Sequence, residues 1–307
     1  MYFLASPALA WHEAGHRLTA EIAFDLLGET DQQQFAALLQ AHPRFKQDFV
    51  ARMPEEITIA AESEQARWIF AQASNWPDII QNIGEDIRRQ YHHGTWHYIN
   101  LPVFLTAQDE KEFAGRLDQN ISPEFAPPLR HDLNLIQALK GNLLVWRDAT
   151  ASDSQKAMAL CWILHLTGDV HEPLHNVALF SKKYFAEGDR GGNLITVKRD
   201  GGTTNLHAVW DGLANYLDDV SPDENTRRIL ANDVADINAI DDWARDGQQM
   251  SKDFAYLEEV RSQLPGQLPR RRNPQITLSA EYIAVAEKIA RPQVVIAGHR
   301  IAVLLTN

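Results

Sequence analysis

The residues from His165 to His175 place three histidines and two carboxylates, Asp169 and Glu172, in an eleven-residue stretch. Histidine and aspartate at such density are the donors that zinc favours. His165 and Asp169 are four apart. On a helix that spacing puts both side chains on one face, close enough to share an ion. A capped helix end with a few polar residues is the plainer reading of one such pair, but five ionisable groups together weigh against it. His171-Glu172-Pro173-Leu174-His175 also matches H-E-x-x-H, the zinc-protease signature. That chemistry needs both histidines on one continuous helical turn with Glu172 as general base. Pro173 sits within the turn, where it removes a backbone donor and crowds the preceding turn at a cost of about 3 kcal/mol. The match is therefore read as a decoy, and His171 as a residue behind the ligands or on the surface.

Four other stretches carry the same residue types. Asn205-Leu206-His207-Ala208-Val209-Trp210-Asp211 repeats the i, i+4 histidine and aspartate. Ser74-Asn75-Trp76-Pro77-Asp78 sets a carboxylate at an expected turn, and Trp96-His97-Tyr98-Ile99-Asn100 sets a histidine among aromatics. Trp11-His12-Glu13-Ala14-Gly15-His16 puts His16 on the first expected helix. Taken singly, a histidine among apolar neighbours is more often a hydrogen-bonded core residue than a ligand. His42, His92, His93, His131 and His299 are assigned to that ordinary class.

Taken jointly and in this order, Trp-x4-His, W-P-D, W-H-Y-x-N, H-x3-D-x5-H and N-L-H-x2-W-D resemble the S1/P1 nuclease family, from Trp11 to Leu305. The resemblance implies a zinc-dependent nuclease and 3′-nucleotidase that prefers single strands, DNA or RNA, and leaves 5′-phosphorylated products. It implies three zinc ions. One is held by Asp78, His97 and His165, and a second by the amino group and carbonyl of Trp11 with His16. Asp169 bridges these two, and the third is held by His175, His207 and Asp211. The implied chemistry is attack by a zinc-bound hydroxide, with Asp78 and Asp169 serving water activation, Tyr98 stacking on a base and Asn100 bonding its edge. Single-stranded nucleic acid and nucleotides are the implied partners, bound as substrate by a monomer.

Two positions depart from the family pattern. Gln81 stands where a cation is expected three residues after Asp78, with Arg88 or Arg89 as substitutes, and His12 replaces a more usual glycine. Zinc phospholipase C enzymes share the implied architecture. There the last pair tends to be H-x3-E and the first histidine lies further from the tryptophan, so His207/Asp211 and Trp11/His16 favour the nuclease. A zinc-binding protein with little catalysis is the remaining alternative.

The elements that must position these residues are mostly helical. The apolar run Ala157 to Leu164 reads as a buried helix leading into His165. Leu18, Ile22, Leu26 and Leu27 mark a first helix ending at Gly28, and Asp31 is expected to cap a second through Leu39. Further helices are expected over 62–73, 128–144, after Asp223, and over 279–305. Residues 193–198, followed by Asp200-Gly201-Gly202, read as one small hairpin. Residues 263–274, with Arg270-Arg271-Arg272, read as a loop. The expected fold is all-α, one multi-helix domain over residues 11–307 with a single hairpin.

The bulk properties bound the function. Of 307 residues, 45% are hydrophobic and 23% charged, enough for a core. No apolar run reaches the eighteen or so residues of a membrane span. A net charge of −12 argues against a protein that coats nucleic acid through a basic face. Bound metal can still create a local cation on an acidic protein. Cys161 stands alone, so no internal disulfide can form, and its apolar setting makes it a packing residue. Residues 1–10 are apolar and end in Ala8-Leu9-Ala10, the pattern of a signal-peptidase site. They are read as the remnant of a cleaved leader, implying a periplasmic or secreted protein with Trp11 as its mature amino terminus.

Overall fold

The computed structural model describes residues 11–117, 120–199, 202–216, 221–233, 236–265 and 275–307. The expected leader and the Arg270–Arg272 run lie outside the described residues. No helix among the described residues is long and apolar enough to cross a membrane.

One helix, Asp153–Val170, organises the rest. Ser152 starts it with a capping box, its hydroxyl accepting from the Gln155 N–H while the Gln155 side chain returns to Ser152. Ala157 and Ala159 through Val170 are all buried. A helix apolar on every side must be covered on every side. Helices Glu13–Leu26, Glu29–Leu39, Glu62–Ile79, Leu135–Arg147 and Ala280–Thr306 all pack against it. Phe24, Phe70, Trp76, Leu139, Leu164 and Ile301 belong to the resulting core. A second core gathers Trp11, Val177, Ile195, Trp210, Tyr256 and Tyr282.

The mostly helical fold agrees with the sequence, but several boundaries differ. The 62–73 helix continues to Ile79 with Pro77 inside it, so Asp78 lies in a last helical turn and not at a loop turn. The 128–144 helix begins only at Leu135, because Asn134 caps it with Gln137. The second helix starts at Glu29 after Gly28, which leaves Asp31 in the first turn, where its charge suits the helix dipole. The helices expected after Asp223 and at the carboxyl end occur as Glu224–Asn232 and Ala280–Thr306, capped by Asp223 and Ser279.

The expectation of a single hairpin is corrected. The hairpin exists, with β3 (Thr196–Arg199) antiparallel to β4 (Gly202–Asn205), and β5 (Gln275–Thr277) adds to β3 in parallel. A separate two-stranded sheet pairs β1 (Leu101–Phe104) in parallel with β2 (Val177–Phe180), Leu101 opposite Val177. This second sheet bears directly on the site. β1 follows His97-Tyr98-Ile99-Asn100 and β2 follows His175, so their register locks two distant histidine segments side by side. The Ile99 N–H donates to the His175 carbonyl at 2.9 Å, extending that lock beyond the strands.

Candidate metal centre

His165 and Asp169 occupy the last two turns of the central helix, and both are fully buried. The His165 Nδ1–H donates to the Ser74 carbonyl at 2.8 Å, so its Nε2 is the bare nitrogen. That atom lies 2.9 Å from His97 Nδ1, 3.3 Å from Asp169 Oδ2 and 3.8 Å from Asp78 Oδ1. His97 Nδ1 is 3.4 Å from Asp169 Oδ2 and 3.9 Å from Asp78 Oδ1. His16, on the Glu13–Leu26 helix, places Nε2 3.2 Å from the other oxygen, Asp169 Oδ1, and stacks its ring on His165 at 3.9 Å. Asp169 thus faces His16 with one oxygen and the His97/His165 pair with the other. Donor atoms of His16, Asp78 and His165 lie within 4.8 Å of one another, as do those of His97, His165 and Asp169.

Two small residues permit these approaches. A Cβ on Gly168 would sit 2.8 Å from His16 Nδ1, and one on Gly15 would sit 2.7 Å from Trp11 Cβ. Trp11 is buried, and its indole N–H donates to the Gly168 carbonyl at 3.0 Å. The next N–H, of His12, donates to the Asp211 carbonyl at 3.1 Å. The main chain at Trp11 is therefore anchored to the segments bearing Asp169 and Asp211. His12 stands at the cap of the first helix and makes no side-chain capping hydrogen bond there.

A second group lies beside the first. His175 donates Nδ1–H to the His97 carbonyl in a very short hydrogen bond, which turns its Nε2 towards Asp211 Oδ1, 3.8 Å away. His207 donates Nδ1–H to the Gly191 carbonyl at 2.7 Å, and its Nε2 is 3.6 Å from Asp211 Oδ2. Gly191 has φ of +59°, and a Cβ there would meet the Leu174 carbonyl at 2.4 Å, so glycine is required at that close approach. β4 runs directly into the Leu206–Asp211 helix, whose cap Asn205 accepts from the Ala208 N–H. Glu172 joins His175, His207 and Asp211 within 4.8 Å, a fourth donor beyond the three that the resemblance implies.

The decoy itself dissolves in the structure. The helix stops at Val170, and Pro173 opens a short 3-10 turn to Asn176. His175 turns into the cluster and His171 turns away. His171 is not on the surface; it is buried, donates Nδ1–H to the Thr167 carbonyl and accepts from Arg300 at 2.8 Å. Arg300 in turn pairs with both oxygens of Asp233.

These residues fit a metal on their own evidence. Buried polar atoms without a hydrogen-bond partner among the described residues concentrate here. They include both ring nitrogens of His16, Asp78 Oδ2, both oxygens of Asp169 and of Asp211, and His175 Nε2. Orphaned buried groups are costly and need a partner. Burial pushes the Asp78 carboxyl up to about 6 and the Asp169 carboxyl up to about 7. Burial, then the neighbouring Glu172 charge, raises Asp211 well above the carboxylate range. Burial also pushes His207 down to about 4 and lowers His97, His165 and His175. Carboxylates held upward beside imidazoles held neutral form a pocket short of positive charge, which a divalent cation supplies.

The outer residues are placed as follows. Gln81 donates to Asp78 Oδ1 at 2.8 Å and so orients that carboxylate. Arg89 is exposed beside Glu85 and Asp86 of its own helix. Tyr98 is 36% exposed and does not belong to the buried core. Asn100 is half-buried and lines a cavity with Phe113, Arg116 and Lys182. Of the histidines assigned to the core, His42 is buried against Trp76; His92, His93 and His299 are half-buried and His131 is exposed. Cys161 is buried and unpaired, as expected of a packing residue.

Comparison with known proteins agrees with the geometry. The chain is 43% identical to Nuclease S1 of Aspergillus oryzae over 210 residues, 68% of this chain and 55% of that protein. It is 24% identical to Endonuclease 4 of Arabidopsis thaliana over 259 residues, 79% of this chain and 68% of that protein. Endonuclease 5 of the same plant is 44% identical over 150 residues, 47% of this chain and 43% of that protein. The chain thus spans little more than half of Nuclease S1. The family model described as S1/P1 Nuclease matches residues 11–307. With that match over every segment that builds the centre, the chain belongs to the S1/P1 nuclease family, hydrolases of phosphoric ester bonds.

Proposed function

We propose that the chain hydrolyses single-stranded DNA and RNA to 5′-phosphorylated products and removes 3′-phosphates from nucleotides, using three zinc ions. The observation that carries this is the pair of buried donor groups that meet at Asp169 and the His97–His175 contact. Zinc there would lower the pKa of a bound water towards 7 and polarise phosphoryl oxygens. The chain's residues supply the setting. Asp78, His97 and His165 would hold one ion, and His16 with the main chain of Trp11 a second, with Asp169 between them. His175, His207 and Asp211 would hold the third. The site at Trp11 needs a free amine, and hence cleavage after Ala10.

Three divalent ions against three aspartates leave a local excess of positive charge, which attracts a phosphodiester to an acidic protein. Gln81 fixes Asp78 by its hydrogen bond and supplies no charge, so phosphate neutralisation falls to the metals. Tyr98 offers an exposed ring close to His97. Stacking of this kind tolerates any base and favours unpaired ones. Asn100 lies two residues on, just before β1, and lines a cavity with Phe113, Arg116 and Lys182; we assign its amide to hydrogen bonding the base edge. The mature enzyme acts as a secreted or periplasmic monomer.

The test is direct. Zinc-loaded mature protein should digest single-stranded DNA and RNA, stop on EDTA treatment and leave 5′-phosphorylated ends. Metal-replete protein that leaves nucleic acid intact and hydrolyses phosphatidylcholine would overturn the proposal.

A further inference from the structure

Glu172 has no role in the ligand set above, yet its placement is that of a ligand. It is fully buried, at the cap of the 173–176 turn. Its Oε2 accepts the His175 N–H at 2.9 Å, which fixes the carboxylate in one orientation. Its Oε1 has no partner among the described residues, and neither has His175 Nε2 nor either oxygen of Asp211. One donor atom from each of Glu172, His175, His207 and Asp211 lies within 4.8 Å of the others. No Lys or Arg forms an ion pair with either carboxylate among the described residues. Two buried carboxylates at this separation repel unless a proton or a cation lies between them. Two imidazoles with bare nitrogens turned the same way make the cation the better fit, because those nitrogens accept and cannot bridge the carboxylates.

We propose that Glu172 is a fourth protein ligand to the metal held by His175, His207 and Asp211, closing that site in the resting enzyme. This rests on the three-zinc reading given under Proposed function. Two imidazoles and two carboxylates form a complete tetrahedral set, the arrangement of closed zinc sites, whereas three protein ligands leave a position for water. The second carboxylate also makes the site neutral, where one carboxylate would leave it at +1. The consequence is kinetic retention: the ion leaves only after Glu172 has detached. An incoming phosphate oxygen must displace Glu172 Oε1 or enter as a fifth ligand.

The experiment follows zinc transfer from the holoenzyme to a chromogenic chelator, comparing wild type with Glu172→Gln and Glu172→Asp. Gln keeps an acceptor for the His175 N–H but loses the ligating charge. Asp keeps a charge and can cap the turn, but it falls one methylene short of the metal. In both variants one of the three zinc equivalents should leave at least about tenfold faster, the scale by which outlying partners of metal ligands already alter affinity. The other two equivalents should keep their wild-type rates. Three unchanged rates, with about three zinc per chain in the wild type, would overturn the role of Glu172 and leave the nuclease reading standing. Acceleration of all three together would mark a general loosening of the fold and overturn it equally. A wild-type protein that holds no zinc would overturn both. Should the Gln variant fail to fold, the Asp variant is read on the same criteria.

Discussion

Asp169 is the residue on which the centre turns. It is fully buried, one oxygen 3.2 Å from His16 and the other within 3.4 Å of both His97 and His165. Asp169→Asn keeps the shape and removes the charge. Up to two of the three zinc equivalents should be lost, with nuclease activity down at least about 100-fold, measured by metal analysis and single-strand digestion. A variant that keeps full zinc would contradict the bridging role. The same residue sets a pH dependence. Burial pushes the Asp169 carboxyl up to about 7 and the Asp78 carboxyl up to about 6, and both must be deprotonated to bind metal. Below those values protons compete, so zinc affinity should rise with pH between about 5.5 and 7.5, with proton release on binding. Burial lowers His97, His165 and His175 and pushes His207 down to about 4, so these imidazoles compete less with metal than the carboxylates do. Calorimetry in buffers of different ionisation enthalpy reads this, and affinity that is flat across the window would contradict it.

At the scale of elements, the centre is a meeting of helix ends and strand starts. The central helix presents its last two turns, the first helix crosses it at Gly168, and the β1–β2 pairing sets His97 against His175. Gly168→Ala tests the crossing. Its Cβ would lie 2.8 Å from His16 Nδ1, so the first helix must shift. We expect about 1–3 kcal/mol of destabilisation, typical of overpacking, together with loss of the zinc nearest His16. Unchanged denaturant midpoint and unchanged zinc content would show that the crossing is looser than described.

Element by element, the sequence was readable where periodicity was long. The buried run before His165 stands out as eight apolar residues in a row, and the first helix by apolar positions at Leu18, Ile22 and Leu26, four apart on one helical face. The 196–205 hairpin was signalled by its alternation and its Gly-rich turn. β1 and β2 were not, since four-residue strands such as Leu-Pro-Val-Phe carry little pattern and their pairing joins segments 76 residues apart. The helix through Pro77 was missed because proline usually ends one. Glu172 was passed over for a different reason. Its neighbours spelled a false motif, and only the turn at Pro173 shows that the chain swings it in beside His175.

For the whole molecule, the centre lies where the two cores meet. Leu164, Leu166 and Val170 of one flank His165 and Asp169, and Leu206, Val209 and Trp210 of the other flank His207 and Asp211. Metal bound between them would tie the two halves together. Binding to the folded state alone contributes about 4 kcal/mol per site when free metal is a thousandfold above Kd. Chelation should therefore lower Tm by at least about 5 °C in a chain of this size, read by calorimetry with and without EDTA. An identical Tm would mean that the buried carboxylates are satisfied without metal. The most direct test of the central claim is the metal content of the mature protein, its amino terminus verified as Trp11, measured by inductively coupled plasma mass spectrometry after exhaustive dialysis. About three zinc per chain are expected from the donor sets; one or none would contradict the three-metal centre.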